Sequence, residues 1–120
     1  MKQYTNESQT AKLIELGFEK PKNTRYIQRA KARNLHSPFV EFEEPEFEGS
    51  YSIGELVAFC PPLINRNRFG TATINIFNDG INWVVGYDDV NGVMRLTTVD
   101  VELIDALCTM CRKLKEEGVI

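Results

Sequence analysis

A chain of 120 residues, 42% hydrophobic and 26% charged, has the size and balance of one globular domain with a single core, and is too short for two. Its net charge of −3 excludes a general electrostatic attraction to nucleic acid or to an anionic membrane. Its opening residues, Met1-Lys2-Gln3-Tyr4-Thr5-Asn6-Glu7, have no signal-peptide pattern, and no apolar run approaches the ~18 residues of a spanning helix, so the expected location is the cytoplasm, with no membrane contact and with three reduced cysteines rather than a disulfide framework.

In chain order, Thr5 or Asn6 caps a helix over about residues 6 to 16, with Ala11, Leu13, Ile14 and Leu16 at helical spacing. Gln9 stands where a capping box started at Asn6 needs it. Gly17 ends the helix in a Schellman arrangement that folds Phe18 back on Leu13. Next comes a basic block, Lys20, Lys22, Arg25, Arg29, Lys31 and Arg33, opposed only by Glu19. A second helix over 24 to 34, capped by Asn23 or Thr24, would carry it above a thin apolar stripe of Tyr26, Ile27, Ala30 and Leu35. An acidic block follows, Glu41, Glu43, Glu44, Glu46 and Glu48, in which the alternation around Val40 and Phe42 predicts an edge strand over 39 to 43, ended by Pro45. Ser52 and Glu55 form a capping box for a short helix over 53 to 59, stopped by Pro61-Pro62.

Two dipeptides, Asp79-Gly80 and Asn91-Gly92, predict two-residue type I′ hairpin turns. The first would pair Ile76 with Trp83, Ile74 with Val85 and Ala72 with Tyr87. The second would pair Tyr87 with Leu96 and Asp89 with Met94, and would set Asp88 against Arg95 as an exposed ion pair on the opposite face. Because strand side chains alternate with period two, both turns generate one continuous apolar face. A last helix over about 100 to 117, capped by Thr97 or Thr98, carries Asp100 and Glu102 in its first turn and Lys113 and Lys115 near its end, ahead of Gly118. The expected fold is a single α+β domain: a three-stranded antiparallel meander, with 39 to 43 as a candidate extra edge strand, packed against the C-terminal amphipathic helix and flanked by two or three short helices.

Three segments, NESQTAKLIELGF (6 to 18), YSIGELVAFCPP (51 to 62) and LIDALCTMCRKLKEEG (103 to 118), resemble small uncharacterised proteins of bacterial mobile elements and prophages. Those proteins open with a polar-capped helix ending in ELG, continue through a short serine-capped helix that ends at proline, and close with an LIDAL-like helix. The resemblance covers about a third of the chain and implies a mobile-element setting. It implies no substrate and no catalytic residue, and the basic and acidic blocks are not features of that group.

Cys108-Thr109-Met110-Cys111 has the form of a C-x-x-C motif. A redox C-x-x-C sits at a helix N-terminus, where the dipole lowers the first thiol's pKa. Cys108 falls about two turns into the last helix, on the same face as Ile104, Leu107 and Met110, so both cysteines read as core. Cys60 and His36 lie on different elements and do not complete a zinc site, and His36 reads as a loop residue or helix cap. Residues 87 to 98 lack the first-position acid and twelfth-position Glu of an EF-hand. The acidic block reads as a solvated edge that discourages strand pairing. No phosphate loop, H-E-x-x-H or G-x-S-x-G occurs, so no catalytic residue, metal or cofactor is expected. The remaining candidate contact surface is Lys20, Lys22, Arg25, Tyr26, Arg29, Lys31 and Arg33, for a partner or for nucleic acid. The acidic balance of the chain disfavours nucleic acid, and the expected function is that of a non-enzymatic interaction factor with a protein partner or a second copy of itself.

Overall fold

The structure, a computed structural model, describes residues 2–21, 49–66 and 70–120. Among these residues, three helices, α1 (Glu7–Glu15), α2 (Ile53–Phe59) and α3 (Leu103–Glu116), accompany four strands, β1 (Leu63–Arg66), β2 (Gly70–Asn78), β3 (Trp83–Asp89) and β4 (Met94–Asp100). The strands form one antiparallel sheet in the order β1-β2-β3-β4. The fourth strand is thus Leu63–Arg66, directly after Pro61-Pro62. The edge strand expected over 39 to 43 and the helix expected over 24 to 34 lie outside the described residues.

Local chemistry sets the helix ends. The Asn6 side chain accepts from the Gln9 amide at 2.8 Å while the Gln9 side chain accepts from the Asn6 amide at 2.9 Å, and Ser52 and Glu55 form the same reciprocal box at α2. At the other end of α1, Phe18 N–H donates to the Leu13 carbonyl and Gly17 N–H to Ile14, which is the expected Schellman closure. The end of α3 repeats it, with Val119 N–H to Leu114 and Gly118 N–H to Lys115.

Both hairpins depart from the type I′ expectation, because neither Asp79 nor Asn91 takes positive φ. The first loop therefore spans four residues. Asp79 Oδ1 accepts from the amides of Ile81 and Asn82 at 2.9 and 2.7 Å, and Asn78 Oδ1 from Gly80 at 2.8 Å, so short polar side chains satisfy the backbone inside the turn. The register moves by two residues: Ile76 pairs with Val85, Ile74 with Tyr87 and Ala72 with Asp89, in place of Trp83, Val85 and Tyr87. A two-residue shift leaves every side chain on its expected face.

The second loop has three residues. Gly92 N–H donates to the Asp89 carbonyl and Asp89 N–H to the Val93 carbonyl, with Gly92 at φ +77 as this loop type requires. That closure displaces the register by one, pairing Asp88 with Met94 where Asp89 was expected. A bulge that leaves Arg95 unopposed then restores Tyr87 to Leu96, the expected pair. The ion pair changes accordingly: Arg95 Nε meets Asp89 Oδ2 at 2.8 Å, not Asp88.

Thr97 and Thr98 are strand residues rather than helix caps. Their β-branched run stays in the ladder, with Thr98 opposite Val85, and the strand ends only at Asp100. Helix α3 begins at Leu103, behind a Glu102 N-cap that makes no side-chain cap bond. Thr98 Oγ1 instead donates to the Ala106 carbonyl at 2.8 Å and so ties strand to helix.

The core lies between the sheet and α3. Leu103, Ile104, Ala106, Leu107, Cys108, Met110, Cys111 and Leu114 are buried along α3, facing Ile64, Ala72, Val85, Tyr87 and Leu96 of the sheet. Leu13 of α1, Tyr51 and Leu56 of α2 close its flank. Each fully buried aliphatic side chain contributes roughly 1.5–3 kcal/mol. The two large polar members of the core keep their hydroxyls bonded: Tyr87 donates to the Pro61 carbonyl at 2.7 Å and Tyr51 donates to the Glu19 carbonyl. Burial first, then the nearby Glu55 charge, pushes the Tyr51 phenol up to about 12.

Candidate functional site

The C-x-x-C motif resolves into core packing. Cys108 and Cys111 sit in the middle of α3, both buried, and all three cysteines are free thiols. Burial, reinforced by the charge of Asp105, pushes the Cys108 thiol up to about 11, the reverse of what a redox motif needs. The sulfur nearest Cys111 across the helix interface is that of Cys60, the C-cap residue of α2, at 3.8 Å, and Cys111 also lies within 3.5 Å of the Leu56 carbonyl. Its bond with Cys60 and its burial hold the Cys111 thiol protonated. The motif's spacing therefore puts two thiols on one helix face, while the close sulfur contact joins α3 to α2.

Of the basic block, only Lys20 falls among the described residues. It is exposed and borders a cavity of about 220 Å³ with Glu19, Glu55, Ala58 and Phe59. Lys22, Arg25, Tyr26, Arg29, Lys31 and Arg33 lie outside the described residues, as do His36 and the acidic block. Among the described residues, no group of three or more His, Cys, Asp or Glu side chains could hold a metal ion, and no helix is long and apolar enough to cross a membrane.

A different surface emerges from the sheet. Helix α3 covers β3 and β4 on one side, and α1 and α2 pack on α3 rather than on the sheet's second side. Among the described residues, no helix covers that second side. The register lines up Phe77, Val84 and Val99 across β2, β3 and β4 on this face. Val84, flanked by the other two, is only 7% exposed, while Phe77 is 39% and Val99 53% exposed. Ile81 in the β2–β3 loop and Val101 just past β4 extend the apolar surface at the same end, 80% and 67% exposed.

The rest of the face is more polar, apart from Leu63 of β1, which stands opposite Thr73 at the other end and is 54% exposed. The next row is Asn75, Gly86 and Thr97, and beyond it Asn75 Nδ2 donates to Asp88 Oδ2 at 3.1 Å. Gly86 admits the end of Met94: a Cβ there would lie 2.6 Å from Met94 Cε and 3.1 Å from the Leu96 carbonyl oxygen. The longest apolar run is thus at the β2–β3 loop end of the face, with Leu63 standing apart at the other end.

The sequence carries a signal for this surface. The alternation that put Ile74, Ile76 and Val85 on one face necessarily put Phe77, Val84 and Val99 on the other. Three apolar residues at outward positions of neighbouring strands are the signal.

Known protein families, characterised proteins and solved structures contain no match to this chain.

Proposed function

We propose that this chain is a non-enzymatic interaction factor, an accessory protein of a bacterial mobile element, which meets a protein partner through the face of its sheet that no described helix covers. The observation that supports this reading is the row Phe77, Val84 and Val99, continued by Ile81 and Val101, on the side that no described helix covers. Contiguous exposed apolar surface of this kind marks interaction sites on soluble domains. A second copy of the chain would use the same row.

The test is a photo-crosslinking residue placed at Val99 in producing cells, with one at exposed Glu7 as control. A discrete adduct from position 99, absent from position 7 and lost in a Phe77→Asp background, is the expected result, and its mass separates a foreign partner from a second copy. No adduct at position 99, together with a monomer at every concentration, would sink the reading.

The second reading, a nucleic-acid-binding module using residues 20 to 33, is favoured by the segregated charge of that segment. Phosphate contacts are strongest at low salt, so binding to single- or double-stranded oligonucleotides there, weakened by replacing Lys22, Arg25 and Arg29 together with Ala, is its requirement.

A further inference from the structure

Helices α1 and α3 enclose a second cavity, of about 290 Å³, whose chemistry differs from that of the sheet face. Its walls are Ser8, Gln9 and Lys12 from α1 and Cys108, Thr109 and Arg112 from α3. Both helices contribute residues at the same spacing, i, i+1 and i+4, so each presents one turn of its surface and each ends that turn on a cation.

The charges there are poorly opposed. Asp105, the carboxylate one turn before Thr109, already accepts from Lys2 Nζ at 3.2 Å and from Gln9 Nε2 at 2.7 Å. Lys12 reaches Glu15 only at 4.0 Å, and Glu15 is 74% exposed, a pairing worth little in water. The Arg112 side chain makes no hydrogen bond or ion pair among the described residues. The buried Cys108 thiol at the cavity floor stays neutral and adds no negative charge.

The donors can be counted. Thr109 spends its hydroxyl proton on the Asp105 carbonyl at 3.0 Å and Gln9 spends one of its two amide protons on Asp105, which leaves Arg112, Lys12, Ser8 and the second Gln9 proton to donate into the cavity. Two cations and a hydroxyl, with no free carboxylate in the lining, match a dianion with several acceptor oxygens better than a neutral or cationic ligand. A guanidinium can grip two such oxygens at once. A phosphate group alone would leave most of the volume unfilled, and pockets of this size take small molecules.

We propose that the α1–α3 groove binds a small phosphomonoester, its phosphate held by Arg112 and Lys12 with Ser8 completing the contact. This site is separate from the sheet face and stands or falls independently of it.

The test is a titration of the ¹⁵N-labelled protein with inorganic phosphate and with ribose 5-phosphate at constant ionic strength, near pH 7.5, where the phosphate is a dianion. Saturable shifts of the Ser8, Gln9, Thr109 and Arg112 amides are expected, with the ester binding more tightly than phosphate. Loss of a charge-assisted contact predicts affinity about tenfold weaker in Arg112→Gln and about fivefold weaker in Lys12→Gln. Both side chains are at the surface, so each variant should give the wild-type spectrum outside the groove. Non-saturating shifts, shifts that chloride reproduces at matched ionic strength, or an Arg112→Gln variant that binds as well as wild type would each overturn the proposal.

Discussion

The two faces of the sheet are made by the same strands, yet they do different work. On the inner face Val85 and Tyr87 of β3 belong to the same buried core as α3, and the Asp89 carboxylate is held by Arg95 and by the amides of Asn91 and Val93. The outer face carries an apolar row at one end, a polar ladder through its middle and the exposed Leu63 at the far end, with no described helix above it. What separates the faces is covering, and covering decides whether an apolar residue contributes to folding or remains available to a partner.

The largest effect should follow from opening the covered side. Leu107→Ala, in the centre of α3, should cost about 3 kcal/mol in urea unfolding, through lost burial and the cavity left behind. The buried thiols report the same seal: they should react with a disulfide reagent at least about 100-fold more slowly in the native protein than in denaturant, since exposure and thiolate formation both require opening. Fast reaction of any of the three would break the contrast.

Gly86→Ala tests the middle of the outer face. Met94 can swing aside but the Leu96 carbonyl cannot, so a destabilisation of about 1 kcal/mol is expected from thermal unfolding. Val99→Thr, at the exposed row, should change stability by no more than about 0.5 kcal/mol while weakening partner capture. An equal loss in Val99→Thr and Leu107→Ala would erase the distinction between the faces.

The smallest effect is confined to acid. Arg95 and the backbone amide of Val93 hold the Asp89 carboxyl below its usual value, so the folded state binds its proton less readily than the unfolded chain does. The stabilisation is therefore present above about pH 4 and is lost as the pH falls toward the folded value. In Asp89→Asn that part of the acid slope should flatten, as measured by unfolding at stepped pH.

The helix termini were legible because capping is local chemistry. Asn6 with Gln9, Ser52 with Glu55, and Gly17 with Phe18 each need only a few neighbouring residues to specify their geometry. The hairpins were half legible. Their faces follow from alternation, but their loop lengths depend on whether Asp79 and Asn91 take positive φ, and side-chain bonds from Asn78, Asp79 and Asp89 favour longer loops. Strand β1 was missed because Leu63-Ile64-Asn65-Arg66 is too short to show a period, and its strand state comes from pairing with residues 70 to 73. The Thr97-Thr98 pair could cap a helix or extend a strand, and the partners offered by β3 decided it. Both candidate surfaces, the outer row and the α1–α3 groove, arise from which elements lie next to each other.

Tyr51 has a further consequence for the chain as a whole. Its amide donates to Thr5 Oγ1 at 2.9 Å, its carbonyl accepts from Thr5 N–H at 2.9 Å, and its hydroxyl holds the Glu19 carbonyl, so the stretches on either side of residues 22 to 48 are fastened side by side. Loop-closure entropy grows only slowly with length, by about 0.6 kcal/mol per doubling. The length of the interval therefore weighs little on the clasp: halving it would change the closure cost by only about 0.6 kcal/mol. Its five basic residues, Lys22, Arg25, Arg29, Lys31 and Arg33, balance its five glutamates, so the net charge of −3 belongs entirely to the residues outside the interval.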